Sequence, residues 1–315
     1  MKALVTGGAG FIGSHLVDRL LAEGNSVDVV DNFSTGSLSN LSQARIDYPH
    51  QVRIADIDIR SEEFPLHIAR AKPEVIFHMA AQADVRVSIE RPVFDAGINI
   101  LGTVNLLEGA RIAKVRKIVY AASGGTLYGD VANEKLPISE SEPQRPLSQY
   151  GVSKKVALDY FGAYKALYGI EFSALALANV YGPRQDPHGE AGVVAIFAGN
   201  LIKKTPCIIF GDGSQTRDFV FVDDVVDAFS KAATRGDGEV INIGTGVETS
   251  VNQLYEAICK VCNVTTPASY QPARQGELER SCLNPRKAKK YLNWKSWTAI
   301  GDGVSQVVNH LASSK

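Results

Sequence analysis

The chain is poor in the residues that force an unusual architecture. Four cysteines (Cys207, Cys259, Cys262, Cys282) in 315 residues are too few and too scattered for a disulfide framework. Cys259-x2-Cys262 is the one metal-like spacing. It lacks a second pair and lies in a helical stretch at 251–261, so it reads as two buried thiols, and no metal is expected. Neither sign of charge dominates: 33 Lys and Arg stand against 34 Asp and Glu, for a formal net charge of −1. That balance excludes a general affinity for nucleic acid or for an anionic membrane, so any phosphate must be held by a local site. No apolar run approaches the ~20 residues of a membrane span. Met1-Lys2-Ala3-Leu4-Val5-Thr6 runs directly into a glycine turn, with no room for a leader, and the expected location is the cytoplasm. Internal repeats and low-complexity segments are absent too.

What is present is the composition of an ordinary globular protein, 45% hydrophobic and 21% charged, long enough for one large domain or two unequal ones. Apolar strand-like runs at 3–6, 26–30, 51–55, 75–78, 117–121 and 172–176 alternate with helical patterns. This is the signature of a parallel sheet covered on both faces. The expected fold is α/β: a Rossmann-type doubly wound parallel sheet with a smaller mixed α/β substrate-binding domain. Beyond Asn179 the rhythm breaks in a loop-like stretch, Tyr181-Gly-Pro-Arg-Gln-Asp-Pro-His-Gly189. The expected division is 1–178 for the nucleotide-binding domain, joined by part of 218–247, and 179–315 for the second domain, with short strands at 207–210 and 240–243.

Gly7-Gly8-Ala9-Gly10-Phe11-Ile12-Gly13 follows a strand and opens a helix-like run at 15–22. In that context backbone N–H groups at the helix start face a pyrophosphate, aided by the positive end of the helix dipole. Asp31 closes the next strand, where its carboxylate can accept both ribose hydroxyls of an adenosine and repel a 2′-phosphate. Asn32 follows instead of an arginine, so NAD is favoured over NADP. Asp56-Ile57 after the third strand is placed to border the adenine, and Ala80-Ala81-Gln82 after the fourth to line the cofactor.

A second block carries the chemistry. Tyr150 and Lys154 stand at i and i+4, so a helix puts them on one face. An ammonium beside a phenol favours the phenolate, which lowers its pKa from ~10 and makes the tyrosine a usable general base. Ser123-Gly124-Gly125-Thr126 follows the fifth strand, where open sheets place ligand sites.

These blocks, with His78-Met-Ala-Ala-Gln82, Tyr128-Gly129, Asn179-Val-Tyr-Gly-Pro-Arg184 and Arg217-Asp-Phe-Val-Phe-Val-Asp-Asp224, resemble the extended short-chain dehydrogenase/reductase family nearly end to end. Within it, the stretch from Asn179 to Phe197 is similar to the prokaryotic UDP-glucose 4-epimerases. The resemblance implies a homodimer, paired through helices that include the one bearing Tyr150, and a UDP-sugar substrate. It implies a concealed redox cycle, in which Tyr150 takes the 4-hydroxyl proton, NAD takes the C4 hydride, and the 4-keto sugar turns over and is reduced on its other face. It further implies an NAD site of Gly7, Gly10, Phe11, Ile12, Gly13, Asp31, Asn32, Ser34, Thr35, Gly36, Asp56, Ile57, Ala80, Ala81, Gln82, Asn99, Ser123, Tyr150 and Lys154. The substrate positions it implies are Asn179, Val193, Ile208, Phe210, Arg217, Arg274, Glu277 and Ser281, with Glu277 on the uridine ribose. Arginine suits that work because its planar fork grips phosphate oxygens, although Arg217 and Arg274 taken singly also read as surface residues.

Three positions refine this. Gly124 stands where most of these epimerases carry the Ser or Thr that relays the proton, which leaves Thr126 first, then Ser123, as the replacement hydroxyl, or either as a plain turn cap. Gly125 and Thr126 replace the Asp-Glu pair of the related 4,6-dehydratases, and Thr126 the glutamate of the decarboxylases. Ser281 falls at a gatekeeper position against the sugar C2 substituent; a small residue there leaves room for an N-acetyl group or is an ordinary loop serine. The alternatives are another nucleotide-sugar epimerase, such as a UDP-glucuronate 4-epimerase, a net oxidoreductase with exchangeable cofactor, and a non-catalytic dinucleotide sensor.

Overall fold

The computed structural model describes residues 1–186, 192–273 and 278–313. Its strands are β1 Lys2–Thr6, β2 Ser26–Asp31, β3 Val52–Asp56, β4 Val75–His78, β5 Lys117–Ser123, β6 Glu171–Leu177, β7 Asn179–Tyr181, β8 Ile208–Phe210, β9 Thr216–Arg217, β10 Phe219–Phe221, β11 Glu239–Ile243, β12 Thr249–Ser250 and β13 Ser269–Gln271. Seven of them form one parallel sheet in the order β11-β6-β5-β4-β1-β2-β3. Chain order reverses between β1 and β4, and such a switch point opens a crevice beyond the carboxyl ends of the strands.

The apolar runs become central strands because both faces are covered: Ala3, Leu4, Val5, Val75, Ile76, Phe77, Ile118 and Val119 are wholly buried. One core lies on each side of the sheet. Six strands fall where the hydrophobic runs place them. The seventh, β11, comes from the distal half of the chain and pairs with β6 from Glu239↔Ser173 to Ile243↔Leu177.

The first helix, Phe11–Ala22, starts four residues before the expected run at 15–22. Phe11 and Ile12 are half-buried against the core, and Gly13 is tolerated because its missing side chain lets the helix sit on the glycine turn. The helix Gln149–Tyr168 is delimited by local chemistry. Ser148 Oγ accepts from Gly151 N (3.1 Å), and Gly169, at φ 70°, ends it with its N–H on Lys165 O (2.9 Å).

The distal part contributes the two-stranded pairs β10-β7, β12-β9 and β13-β8. Helices Val193–Lys203, Val251–Cys262 and Ile300–Ser313 pack on one another beside them. The second of these opens with a capping box in which Gln253 N donates to Ser250 Oγ (3.1 Å) and Ser250 N to Gln253 Oε1 (2.8 Å). All four cysteines are free; Cys207 and Cys282 are buried, and Cys259 and Cys262 half-buried. Among the described residues no group of three or more His, Cys, Asp or Glu could hold a metal ion, and no helix is long and apolar enough to cross a membrane.

Candidate active site

The crevice begins at the turn after β1. Gly7 has φ +67°, a conformation an L-residue resists, and a Cβ there would lie 2.7 Å from Ala80 N. A Cβ on Gly13 would meet Gly7 O at 2.0 Å. The helix that follows starts at Gly10 with no side-chain cap, so its first N–H groups face outward from a bare backbone cradle. Beside it, Asp31 is buried at the end of β2 and accepts from Ala9 N and Phe33 N, both 2.9 Å. Burial pushes its carboxyl up, the two N–H groups hold it down, and Asp56 across the β2-β3 register adds to the rise. A Cβ on Gly36 would lie 3.0 Å from both Asp31 carboxylate oxygens. These features fit a dinucleotide: a Cβ-free turn for the pyrophosphate and an acceptor pair for a ribose diol.

Other positions of the implied cofactor site are held less directly. Asn32 is exposed and committed to its own loop, with Nδ2 on Asp58 Oδ2 (3.0 Å) and Oδ1 accepting Ser34 N (3.1 Å). Ser34 and Thr35 are exposed, as is Asp56, whereas Ile57 is buried. Ala80 and Ala81 are half-buried, and Ala80 N donates to Thr6 Oγ1 (3.2 Å). The Gln82 side chain is committed to protein partners: its Nε2 donates to Asp84 O and Asp95 Oδ1, at 2.8 and 3.0 Å. Asn99 lies in a π-helical segment, Gly97–Leu101, and clamps Gln82 through both backbone groups.

His78 ties these strands together from beneath. Thr103 Oγ1 donates to Asn99 O, so it accepts from His78 Nε2 (3.1 Å), and Thr6 Oγ1 then donates to His78 Nδ1 (2.7 Å). Burial, with Lys154 adding to it, pushes the imidazole down to about 3, so it stays neutral.

The reacting corner lies at the end of β5. Tyr150 and Lys154 do share a helix face, with Lys154 Nζ 5.7 Å from the Tyr150 ring centroid and 4.8 Å from that of Tyr120. Lys154 is buried and donates to Ala121 O (2.9 Å). The expected fall in the phenol pKa is not what the protein alone produces. Burial pushes Tyr150 up to about 12, Asp95 adds to the rise, and a hydrogen bond from Ser123 opposes both. The ammonium is itself driven down to about 8 by burial, with Asp95 pulling the other way. Desolvation is the largest influence on each of these two neighbouring buried groups.

Of the two candidate hydroxyls, Ser123 is the one that holds the phenol down. Thr126 Oγ1 is buried with no partner, near Gly151, whose Cβ would come within 3.3 Å of the Thr126 Cβ. Gly124 has a steric reason to be glycine: a Cβ there would lie 2.4 Å from Leu283 Cδ1 and 3.1 Å from the carbonyls of Ala176 and Leu177. Gly125 is the reverse, since a Cβ there would meet nothing within 4 Å.

On the distal side, Asn179 is exposed and its N–H donates to Asp218 O (2.9 Å). Val193 is half-buried at the start of its helix, Ile208 is exposed and Phe210 half-buried. Arg217 is half-buried in β9 and donates through Nη1 to Thr216 O (2.8 Å). Ser281 is buried and its N–H also reaches Thr216 O (3.2 Å), which brings these two candidates to one place. Arg274 and Glu277 lie outside the described residues.

Two residues at the reacting corner carry no signal in the sequence. Asp95 is wholly buried, and its Oδ2 accepts from Ser153 Oγ (2.5 Å). Asp95 sits in an unpatterned run, and Ser153 inside the Tyr-to-Lys spacing is a position the motif leaves free.

A parallel sheet with a glycine cradle at its first turn, and a Ser-Tyr-Lys cluster two strands away at the same carboxyl end, defines an extended short-chain dehydrogenase/reductase. More narrowly, the chain belongs to the family described as GDP-mannose 4,6-dehydratase, whose model matches residues 4–307. It is 47% identical over 309 residues to the UDP-glucose 4-epimerase of Mycolicibacterium smegmatis, covering 98% of this chain and 97% of the relative. The UDP-glucose 4-epimerase of Thermotoga maritima, solved with UDP-glucose, superposes with a TM-score of 0.95 at 41% identity, covering 100% of this chain and 99% of that one. The Thermus thermophilus UDP-glucose 4-epimerase, solved with NAD, gives a TM-score of 0.92 at 39% identity, with both chains fully covered.

Proposed function

We propose that this protein is a UDP-glucose/UDP-galactose 4-epimerase with tightly held NAD. The observation that carries the reading is the placement of Tyr150, Lys154 and Ser123 together at the end of β5, on the same sheet edge as the glycine cradle and Asp31. Residues 1–178, completed by β11, hold NAD, and residues 179–315 hold the UDP-sugar. Gly7, Gly10 and Gly13 leave space for the pyrophosphate and Asp31 takes the adenosine ribose. NAD supplies, when bound, a hydride acceptor and donor for C4.

The chain's own residues do the rest. Tyr150 removes the proton of the sugar 4-hydroxyl and later returns it; Ser123, which holds the phenol down, relays that proton. Lys154 holds positive charge beside the phenol and favours its ionised form. Thr126 offers its unpartnered hydroxyl to the sugar, since a buried hydroxyl without a partner is paired by what binds.

Epimerisation is favoured over dehydration by what is missing at 125 and 126. There is open space at Gly125 for an acid and none is there, and Thr126 has no carboxyl. A 4-keto sugar at this turn meets no carboxyl at 125 or 126 to abstract at C5, which leaves its reduction. Ser281 leaves room beside C2, so UDP-GlcNAc and UDP-GalNAc are substrates as well.

Two copies pair through the helices Gly102–Ala113 and Gln149–Tyr168. The support is apolar surface on these two helices, where Leu167 is 71% exposed and Ile112 and Val152 are exposed as well.

The test is incubation of the purified protein with UDP-galactose and no added cofactor, with the UDP-sugars resolved by chromatography. A mixture of both C4 epimers is expected; an unchanged substrate, even with NAD supplied, overturns the reading.

A further inference from the structure

Asp95 lies in the helix Pro92–Ala96, wholly buried, with donors on both carboxylate oxygens. Oδ1 accepts from Gln82 Nε2 (3.0 Å) and Asn99 Nδ2 (2.9 Å), and Oδ2 from Ser153 Oγ (2.5 Å). Three polar side chains converge on this one carboxylate and hold it in place. Neutral donors do not cancel a buried charge, and an uncompensated one is expensive.

The buried cation on the helix to which Ser153 ties this carboxylate is Lys154, the next residue in the chain. The other groups facing Lys154 are the Tyr120 ring and Ala121 carbonyl from β5, the neutral His78 from β4, and Tyr150 on its own helix. Asp95 is the carboxylate tied to that helix, and its charge also pushes the Tyr120 and Tyr150 phenols up. Ser153, next to Lys154 in sequence, fixes the carboxylate to the helix that carries the ammonium.

We propose that Asp95 is a positioning residue: its charge, clamped by Gln82, Asn99 and Ser153, is the fixed counter-ion that keeps Lys154 an ammonium beside Tyr150. The same clamp joins that charge to the loop after β4, because the Asn99 side chain also accepts from Gln82 N and donates to Gln82 O. The inference rests on the reading of Tyr150 and Lys154 as the reacting corner, but its primary readout does not require turnover.

The experiment is an NMR titration of Lys154 in holoenzyme carrying isotope-labelled lysine, the resonance assigned by its loss in Lys154→Met, alongside the pH profile of kcat. Asp95→Asn is expected to lower the Lys154 midpoint by about 1 pH unit. The alkaline limb of kcat moves down with it, and Asp95→Glu, which keeps the charge, leaves both near their original position. A Lys154 midpoint that Asp95→Asn leaves in place overturns the proposal, as does turnover reduced equally at every pH. Failure of the epimerase reading looks different, since the wild-type protein is then inactive while the midpoint still shifts. Should Asp95→Asn not fold, the reciprocal is read in Lys154→Met by infrared spectroscopy. A protonated buried carboxyl is expected at neutral pH there and not in the wild type, and identical spectra overturn the proposal.

Discussion

The two ends of the crevice are made of different materials. The end after β1 and β2 is backbone: a left-handed Gly7, a helix start without a side-chain cap, and Asp31 held by two N–H groups. The end after β5 is buried side-chain charge: Lys154, Asp95 and a phenol raised to about 12. Shape governs the first and electrostatics the second. A dinucleotide is bound by removing atoms from its path, whereas a proton is moved by holding ionisable groups where their charge is costly. Substitutions therefore split the two: an added methyl harms the first end, and a removed hydroxyl or charge harms the second.

The largest effect is expected from Tyr150→Phe. Loss of the general base lowers kcat by about 10²- to 10⁴-fold, with bound NAD and thermal stability retained, read by UDP-sugar chromatography and cofactor content. Retained turnover would place the chemistry elsewhere.

Next comes the pH response of His78, which lies beneath both ends. The unfolded chain takes up this proton near 6.5, and the folded chain refuses it until about 3. Stability is complete above the unfolded value and falls as the pH drops through that window, by about 5 kcal/mol from this group. Unfolding midpoints across the window should fall less steeply in His78→Gln; equal slopes would remove His78 from the account.

Gly13→Ala places a carbon 2.0 Å from Gly7 O, against rigid backbone. About 1–3 kcal/mol of stability is expected to go, as in other overpacked sites, together with NAD retention, while the Lys154 titration stays as it was. Normal NAD content would show that the turn can yield.

Gly124→Ser gives the smallest effect and sharpens the comparison inside the reacting end. Its Cβ meets the flexible end of Leu283 first. The loss is expected to shrink in a Leu283→Ala background, with a coupling of about 1 kcal/mol in a double-mutant cycle. Additive effects would mean that Leu283 is not what bars a side chain at 124.

The same division explains what could be read from the chain. The sheet was legible because strands buried on both faces are short uninterrupted apolar runs, and all six such runs before Asn179 are strands. The cradle was legible because close backbone approach demands glycine at fixed spacing, and the Tyr150/Lys154 face because helical geometry demands i and i+4. The helix start at Phe11 was missed because an uncapped N-terminus carries no capping residue. The electrostatics were not legible at all. Asp95 reaches Ser153 across 58 residues of sequence, and no local pattern marks it. The phenol expectation failed for the same reason, since the ammonium beside Tyr150 is written in the spacing and the burial of both groups is not.

The most direct test of the account follows the hydrogen on C4. UDP-galactose deuterated at C4 is converted without added cofactor, and the products are examined by NMR and mass spectrometry. Retention of the deuterium at C4 of the UDP-glucose formed, with no reduced cofactor released, is the predicted result. Loss of the label to solvent, or release of reduced cofactor in step with a keto product, would contradict it.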